Sequence, residues 1–136
     1  MGARLATAVS TILTVAVAAV ASAPGCGYDG PMLTVEELKA RLDDPSRAIT
    51  VIDVRPASDF SKGHVNGAIN IPLTQLQRKT DAINALDGEI AVICNCGKGA
   101  LAAAKQLQSN GIPAALVEGG YKKWKAAGYP LTRGAK

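Results

Sequence analysis

The sequence predicts an α/β domain built on a parallel sheet with helices over both faces. Short runs rich in β-branched and aliphatic residues, reading as buried strands, alternate along the chain with segments of helical periodicity. That alternation is the pattern of parallel strands joined by helical crossovers. The chain has 136 residues, which suits one domain of ordinary size and not two.

The first helix is announced by Thr34 and Glu37, whose spacing makes a capping box. Val35, Leu38 and Leu42 follow at helical intervals, and Asp43-Asp44-Pro45-Ser46 stops the run. Ile49 to Val54 reads as a buried strand, and Ala68 to Ile71 as a shorter one closed by Pro72. Leu73 to Leu86 is helical in pattern, in two pieces, ending at the Asp87-Gly88 turn signal. Glu89 to Ile93 is the third strand and runs into Cys94-Asn95-Cys96-Gly97-Lys98-Gly99. An Ala- and Leu-rich helix follows, closed by Asn110-Gly111, where glycine suits a left-handed position after the helix end. Pro113 to Val117 is the fourth strand, and Gly119-Gly120 turn into a last helix that carries Trp124 and ends at Gly128-Tyr129-Pro130.

The beginning of the chain does not read as part of this domain. Arg4 is the only charged side chain before Asp29, and Leu5 to Ala21 contains no charge, glycine or proline. A basic start, an apolar middle and a small-residue end are the parts of an export signal. The apolar stretch is shorter than the roughly 20 residues that span a bilayer. Two endings compete: Ala19-Val20-Ala21 fits a small-x-small cleavage site, and Ala23-Pro24-Gly25-Cys26 resembles a degenerate lipobox, with Cys26 as the lipidated residue. The expectation is an exported protein, periplasmic in a bacterium, either soluble or attached to the membrane through its N-terminus. On this reading residues 1–25 are the signal, 26–32 a linker, 33–131 the domain and 132–136 a tail.

Charge excludes little and favours nothing dramatic. Fifteen basic and 11 acidic residues leave a net charge of +4. Lys122, Lys123, Lys125, Arg133 and Lys136 follow Glu118 without an acid among them, but a nucleic-acid surface needs denser charge interleaved with aromatics. A solvated helix face and a tail account for them, so no nucleic-acid partner is expected. The sequence does not speak to oligomeric state.

The three cysteines are Cys26, Cys94 and Cys96. An odd count with two of them one residue apart points to reactive thiols rather than a disulfide framework. Cys94 lies at the carboxyl end of a strand, where parallel sheets bind their ligands. The helix that follows presents unpaired N–H groups and a partial positive charge at its start. Gly97 and Gly99 let the backbone curl into an anion nest, and Lys98 adds a full charge. Such a cradle favours an anionic sulfur and can hold an anionic substrate. Cys94 is therefore the candidate nucleophile, with Asn95, Cys96, Gly97, Lys98, Gly99 and Ala100 as the binding loop; the competing reading is a small buried thiol closing a strand. Asp53 and Arg55 are candidate supports near a strand end, either braced to each other or reaching the loop. The single histidine, His64, sits in a turn and reads as a packing or hydrogen-bonding residue, and Trp124 reads as core.

Three segments in order resemble a rhodanese homology domain: VIDVRPASDFSKGHVNGAINIPL, then the loop at Cys94, then VEGGYKKWKAAGYPL. The resemblance runs from Leu33 to about Leu131. It implies a three-layer α/β/α fold with a mostly parallel sheet of about five strands. It implies a sulfurtransferase in which Cys94 takes the outer sulfur of a small anionic donor, of the thiosulfate or polysulfide type, and holds it as a persulfide. A thiol or cyanide-like acceptor then removes it, with no metal and no organic cofactor. Related phosphatases use a longer loop containing arginine; this loop has neither feature. Asn95, Gly99 and Ala100 stand where family members often carry arginine, serine or threonine. Cys96 is a bystander or a second thiol able to attack the persulfide. Two other classes remain open: a sulfur carrier that needs a protein partner, and a dithiol redox protein using Cys94 and Cys96.

Overall fold

The computed structural model describes residues 28–135. Its framework is a five-stranded sheet made of β1 (Met32–Leu33), β2 (Ile49–Asp53), β4 (Ile69–Asn70), β5 (Glu89–Ile93) and β6 (Ala115–Val117), in the order β1-β6-β5-β2-β4. Every pairing in it is parallel. The five helices are α1 (Val35–Asp43), α2 (Ala57–Lys62), α3 (Thr80–Asn84), α4 (Lys98–Ser109) and α5 (Gly120–Ala126). This is the expected α/β architecture.

Alternation along the central strands divides the core in two. Ile90 and Val92 of β5 point to one face, with Ile52 of β2 and Leu116 of β6, and meet Ala100, Ala103, Ala104 and Leu107 of α4 and Ile83 of α3. Ala91 and Ile93 point to the other face, with Val51 and Val117, and meet Val35 and Leu38 of α1, Phe60 of α2 and Trp124 of α5. Successive strand residues face opposite sides, so a strand buried on both must be apolar throughout. Alanine on α4 brings that helix close to the sheet. Trp124 is buried as expected, and its indole N–H donates to the Pro130 carbonyl oxygen at 3.1 Å.

The capping box of α1 is present: the Thr34 hydroxyl accepts from Glu37 N–H, and the Glu37 carboxylate accepts from Thr34 N–H. The helical segment after Pro72 divides further than expected, into two 3-10 turns at Leu73–Gln75 and Gln77–Lys79 before α3.

The domain also extends past both expected edges. Tyr28, read as linker, is buried, and its hydroxyl donates to the Ala114 carbonyl oxygen. Burial, reinforced by the negative charge of Asp29, raises its pKa above the ordinary tyrosine value. At the other end β3 (His64–Val65) pairs antiparallel with β7 (Leu131–Thr132), which draws Thr132 from the expected tail into the fold. Gly134 N–H then donates to the Ser61 carbonyl oxygen at 2.9 Å. No helix among the described residues is long and apolar enough to cross a membrane. The expected export signal, its two candidate endings and Cys26 lie outside the described residues.

Candidate functional site

Strands β2 and β5 run side by side in register, and both end at the same edge of the sheet. Val54 N–H, donating to the Ile93 carbonyl oxygen at 3.0 Å, carries their pairing to the last residue before Cys94. The thiol therefore emerges at the carboxyl edge of the most heavily paired part of the sheet. Cys94 is partly buried and packs against the α4 core, while Cys96 is exposed; neither is in a disulfide.

The loop from Cys94 to Gly97 is shaped by what its carbonyl groups do. Tyr121 N–H donates to the Cys94 carbonyl oxygen at 2.7 Å, and Lys122 N–H to that of Asn95 at 3.1 Å. The first turn of α5 thus takes both carbonyls. In a planar trans peptide the C=O and N–H point in opposite directions. The N–H groups of Asn95 and Cys96 must then face away from α5. Among the described residues, neither they nor Gly97 N–H donates to another backbone group.

Glycine is required at three places in this arrangement. Gly97 has φ +106°, a left-handed conformation that turns the chain into α4 without a side-chain cap. Gly99 stands under the thiol: a Cβ there would lie 2.7 Å from Cys94 Sγ. Gly120 has φ +59°, and a Cβ on it would lie 2.2 Å from the Cys94 carbonyl oxygen. The sulfur therefore sits over the first turn of α4, whose N–H groups have no preceding turn to bond. No acidic residue occupies that turn, and Lys98 opens it.

Asp53 and Arg55, the candidate supports, form a buried pair. Arg55 Nη2 donates to Asp53 Oδ2 at 2.6 Å and Nε to Oδ1 at 3.0 Å. Nη2 also donates to the Gly63 carbonyl oxygen at 2.8 Å, and the guanidinium lies 3.9 Å over the Tyr121 ring. Burial works against the Arg55 charge, but the hydrogen bonds and charge of Asp53, helped by Tyr121 and Asp59, outweigh it and hold the pKa above the usual arginine value. The pair is thus an internal brace that also reaches the loop, through Tyr121. Asn70 completes the brace by donating to the carbonyl oxygens of Asp53 and Arg55 at 3.0 and 2.9 Å. His64 is fully buried and stacked on Phe60; its Nδ1 pairs with the Phe60 carbonyl oxygen, and its Nε2 has no partner among the described residues.

Beside the loop a cleft of about 270 Å³ is lined by Arg55, Asp59, Lys62, Asn95, Tyr121 and Lys125. Of these, sequence reasoning singled out only Arg55 and Asn95 as site candidates. A signal existed for two others, since Tyr121 and Lys125 are four residues apart in a helical segment and share a face. Among the described residues no cluster of His, Cys, Asp and Glu suited to a metal ion is present.

Comparison with known proteins agrees with this fold. The family model for the rhodanese-like domain matches residues 34–127. The chain belongs to the rhodanese-like domain family. It is 32% identical to a rhodanese-related protein from Thermoplasma volcanium whose crystal structure superposes with a TM-score of 0.67, covering 75% of this chain and 97% of that one. It is 27% identical over 95 residues to YrkF of Bacillus subtilis, whose name describes a sulfur carrier; the match covers 69% of this chain and 50% of YrkF. It is 29% identical over 104 residues to the adenylyltransferase and sulfurtransferase UBA4 of Yarrowia lipolytica, covering 73% of this chain and 26% of that protein. The rhodanese-like chain described here spans about half the length of the first curated relatives it matches.

Proposed function

We propose that this domain moves a sulfane sulfur from a small anionic donor to a thiol or cyanide-like acceptor through a persulfide on Cys94. The observation that carries the reading is the placement of Cys94 Sγ over Gly99, on a helix start that lacks both a side-chain cap and an acidic residue. Support also comes from membership in the rhodanese-like family and from relatives named for sulfur carriage and sulfur transfer.

With thiosulfate as donor, the Cys94 thiolate attacks the outer sulfur. The bond between that sulfur and the sulfonate breaks, and sulfite leaves with the bonding pair. The terminal sulfur of the resulting persulfide is anionic, and the open amides at the head of α4 stabilise it without a metal or organic cofactor. An acceptor thiolate then attacks the terminal sulfur and releases Cys94 as thiolate. Lys98 adds positive charge at the loop, and Asn95, Cys96, Gly97, Gly99 and Ala100 complete it. Asp53 and Arg55 are positioning residues, acting on the loop through Tyr121 and the start of α5. Export, ending either in cleavage after Ala21 or in lipidation of Cys26, is part of the proposal on the strength of the leader-like residues alone.

The test is intact-mass measurement after incubation with thiosulfate or polysulfide. Wild type is expected to gain one sulfur atom that a reducing thiol removes, and Cys94→Ser to gain none. Equal gain by Cys94→Ser would overturn the assignment. Steady-state turnover with small thiols or cyanide as sole acceptor separates an enzyme from a carrier that needs a protein partner.

A further inference from the structure

The first described residues enter the domain on the side of the sheet away from the thiol. Tyr28 is buried, and its hydroxyl donates to the carbonyl oxygen of Ala114, the residue before β6. Its ring lies on Gly30, where a Cβ would come within 2.3 Å of the ring carbon Cζ. Leu116 N–H donates to the Pro31 carbonyl oxygen at 2.9 Å, and Met32 and Leu33 then pair with β6. A buried ring, two hydrogen bonds and a strand pairing thus fix residues 28–33 to the core.

Strand direction locates this entry point. Every pairing in the five-stranded sheet is parallel, so all its strands start at one edge and end at the other. Ala115 is in register with Ala91, which sets Ala114 level with Ile90, near the start of β5. Cys94 follows the last residue of β5. The advance from Ile90 to Cys94 spans roughly 13 Å of extended chain. Cys26 stands two residues before Tyr28, a reach of at most about 7 Å. A group carried on Cys26 therefore stays on the amino side of the domain.

We propose that the amino edge of the sheet is the face turned toward a lipid bilayer, with Cys26 as the attachment and the Cys94 loop facing the aqueous phase. This rests on the lipidation branch of the export reading. The Cys26 sulfur takes a diacylglyceryl group from a phospholipid. A C–S bond forms, the C–O bond to the phosphate breaks with its electron pair left on the phosphate oxygen, and the thiol proton passes to water. Water then hydrolyses the Gly25–Cys26 peptide bond and frees the leader. Two acyl chains are enough for stable anchoring. With Tyr28 as a latch, the anchor fixes which end of the domain meets the bilayer. Donors and acceptors dissolved in water reach the loop, and molecules buried in the bilayer do not.

The experiment expresses the full chain in a bacterial host, extracts the membranes with detergent and measures intact mass. A diacylglyceryl group on Cys26, with the leader gone, is expected. The lipid-bearing protein is then placed on phosphatidylcholine vesicles, whose neutral surface exerts no pull on the lysines around the loop. One form, Cys94→Ser, carries a fluorophore on the exposed Cys96 at the far edge. The other, Cys94→Ser/Cys96→Ser/Asp87→Cys, carries it on the exposed position before β5. Energy transfer to a dye on the lipid headgroups measures the height of each label. The label at position 87 is expected to lie nearer the bilayer by roughly 16 Å, the length of the five-residue strand between the two sites. Tyr28→Ala, added to both forms, should shrink that difference, and an undiminished difference would overturn the role of the latch. If that variant does not fold, the two labels in the chain with Tyr28 decide alone. Equal heights, or the reverse order, overturn the orientation while lipidation stands. A chain without lipid on Cys26 overturns both, and neither result touches the persulfide reading.

Discussion

Helices α1 and α4 begin in opposite ways. At α1 the first turn is closed by its own sequence: Thr34 and Glu37 exchange hydrogen bonds, and Glu36 and Glu37 bring negative charge to the positive end of the helix. A hydrogen bond from its own backbone N–H, with a further contribution from Thr34, holds the Glu36 carboxyl below its ordinary pKa. At α4 the cap is Gly97, which has no side chain to offer, and the first turn contains no acid. One start is satisfied by its own acids and serves stability. The other is left open, with a thiol set over it, and on the proposed reading serves chemistry. A fold that seals one helix and leaves another, across the sheet, unsealed fits the proposal that an external anion completes the hydrogen bonding at the open one.

The sharpest way to break the contrast is at Gly99. Gly99→Ala places a methyl group 2.7 Å from Cys94 Sγ, so the sulfur must move. Persulfide loading should fall about 10- to 100-fold, the scale set by a small displacement of a reacting atom. Quenched-flow loading followed by mass measurement checks it; an unchanged rate would mean that the position of Sγ over α4 does not matter.

A second change makes α4 resemble α1. Gly97→Asp brings an acceptor and a negative charge to the open amides. Loading with an anionic donor should drop about tenfold or more, as when a donor to a developing anion is lost. Because φ at this position is +106°, the variant should also lose about 1 kcal/mol of stability in urea titration. Gly97→Asn shares most of the strain without the charge, and it should load faster than the aspartate variant.

The smallest effect is expected at the sealed helix. Thr34→Ala removes one half of the capping box and should cost about 1 kcal/mol in the same titration. Loading of Cys94 should change less than twofold, since on this reading α1 has no part in holding the sulfur (about twofold being the noise of exposed-site substitutions). A large loss of loading would show that the two helix starts are not independent.

How much of this was legible in the sequence follows the range of the interactions involved. The Thr34–Glu37 box, the strands at Ile49 and Glu89, the glycine after α4 and the position of the Cys94 loop rest on neighbours a few residues apart, and the residue pattern carries them. Helix α2 was not assigned, since six residues starting after Pro56 give too little periodicity to detect. The antiparallel pair of β3 and β7 joins residues far apart in the chain and offers two residues on each side. Tyr28 belongs to the domain through one long-range hydrogen bond and burial, neither of which leaves a local trace. At the candidate site the nucleophile and its loop were legible as a segment. The cleft was not, because Lys62, Asn95 and Lys125 come together only once α2 and α5 are docked.

The hold of α5 on the loop has a further result for which ions the site can meet. With the Cys94 and Asn95 oxygens already engaged by Tyr121 and Lys122, these two peptide planes cannot rotate to offer lone pairs without first undocking a helix. The polarity of the rim is thus built in whether or not anything occupies it. A sodium or magnesium ion drifting past finds these two carbonyl oxygens already taken, while on the persulfide reading sulfite, thiosulfate or a terminal sulfide would meet amide donors that need no rearrangement.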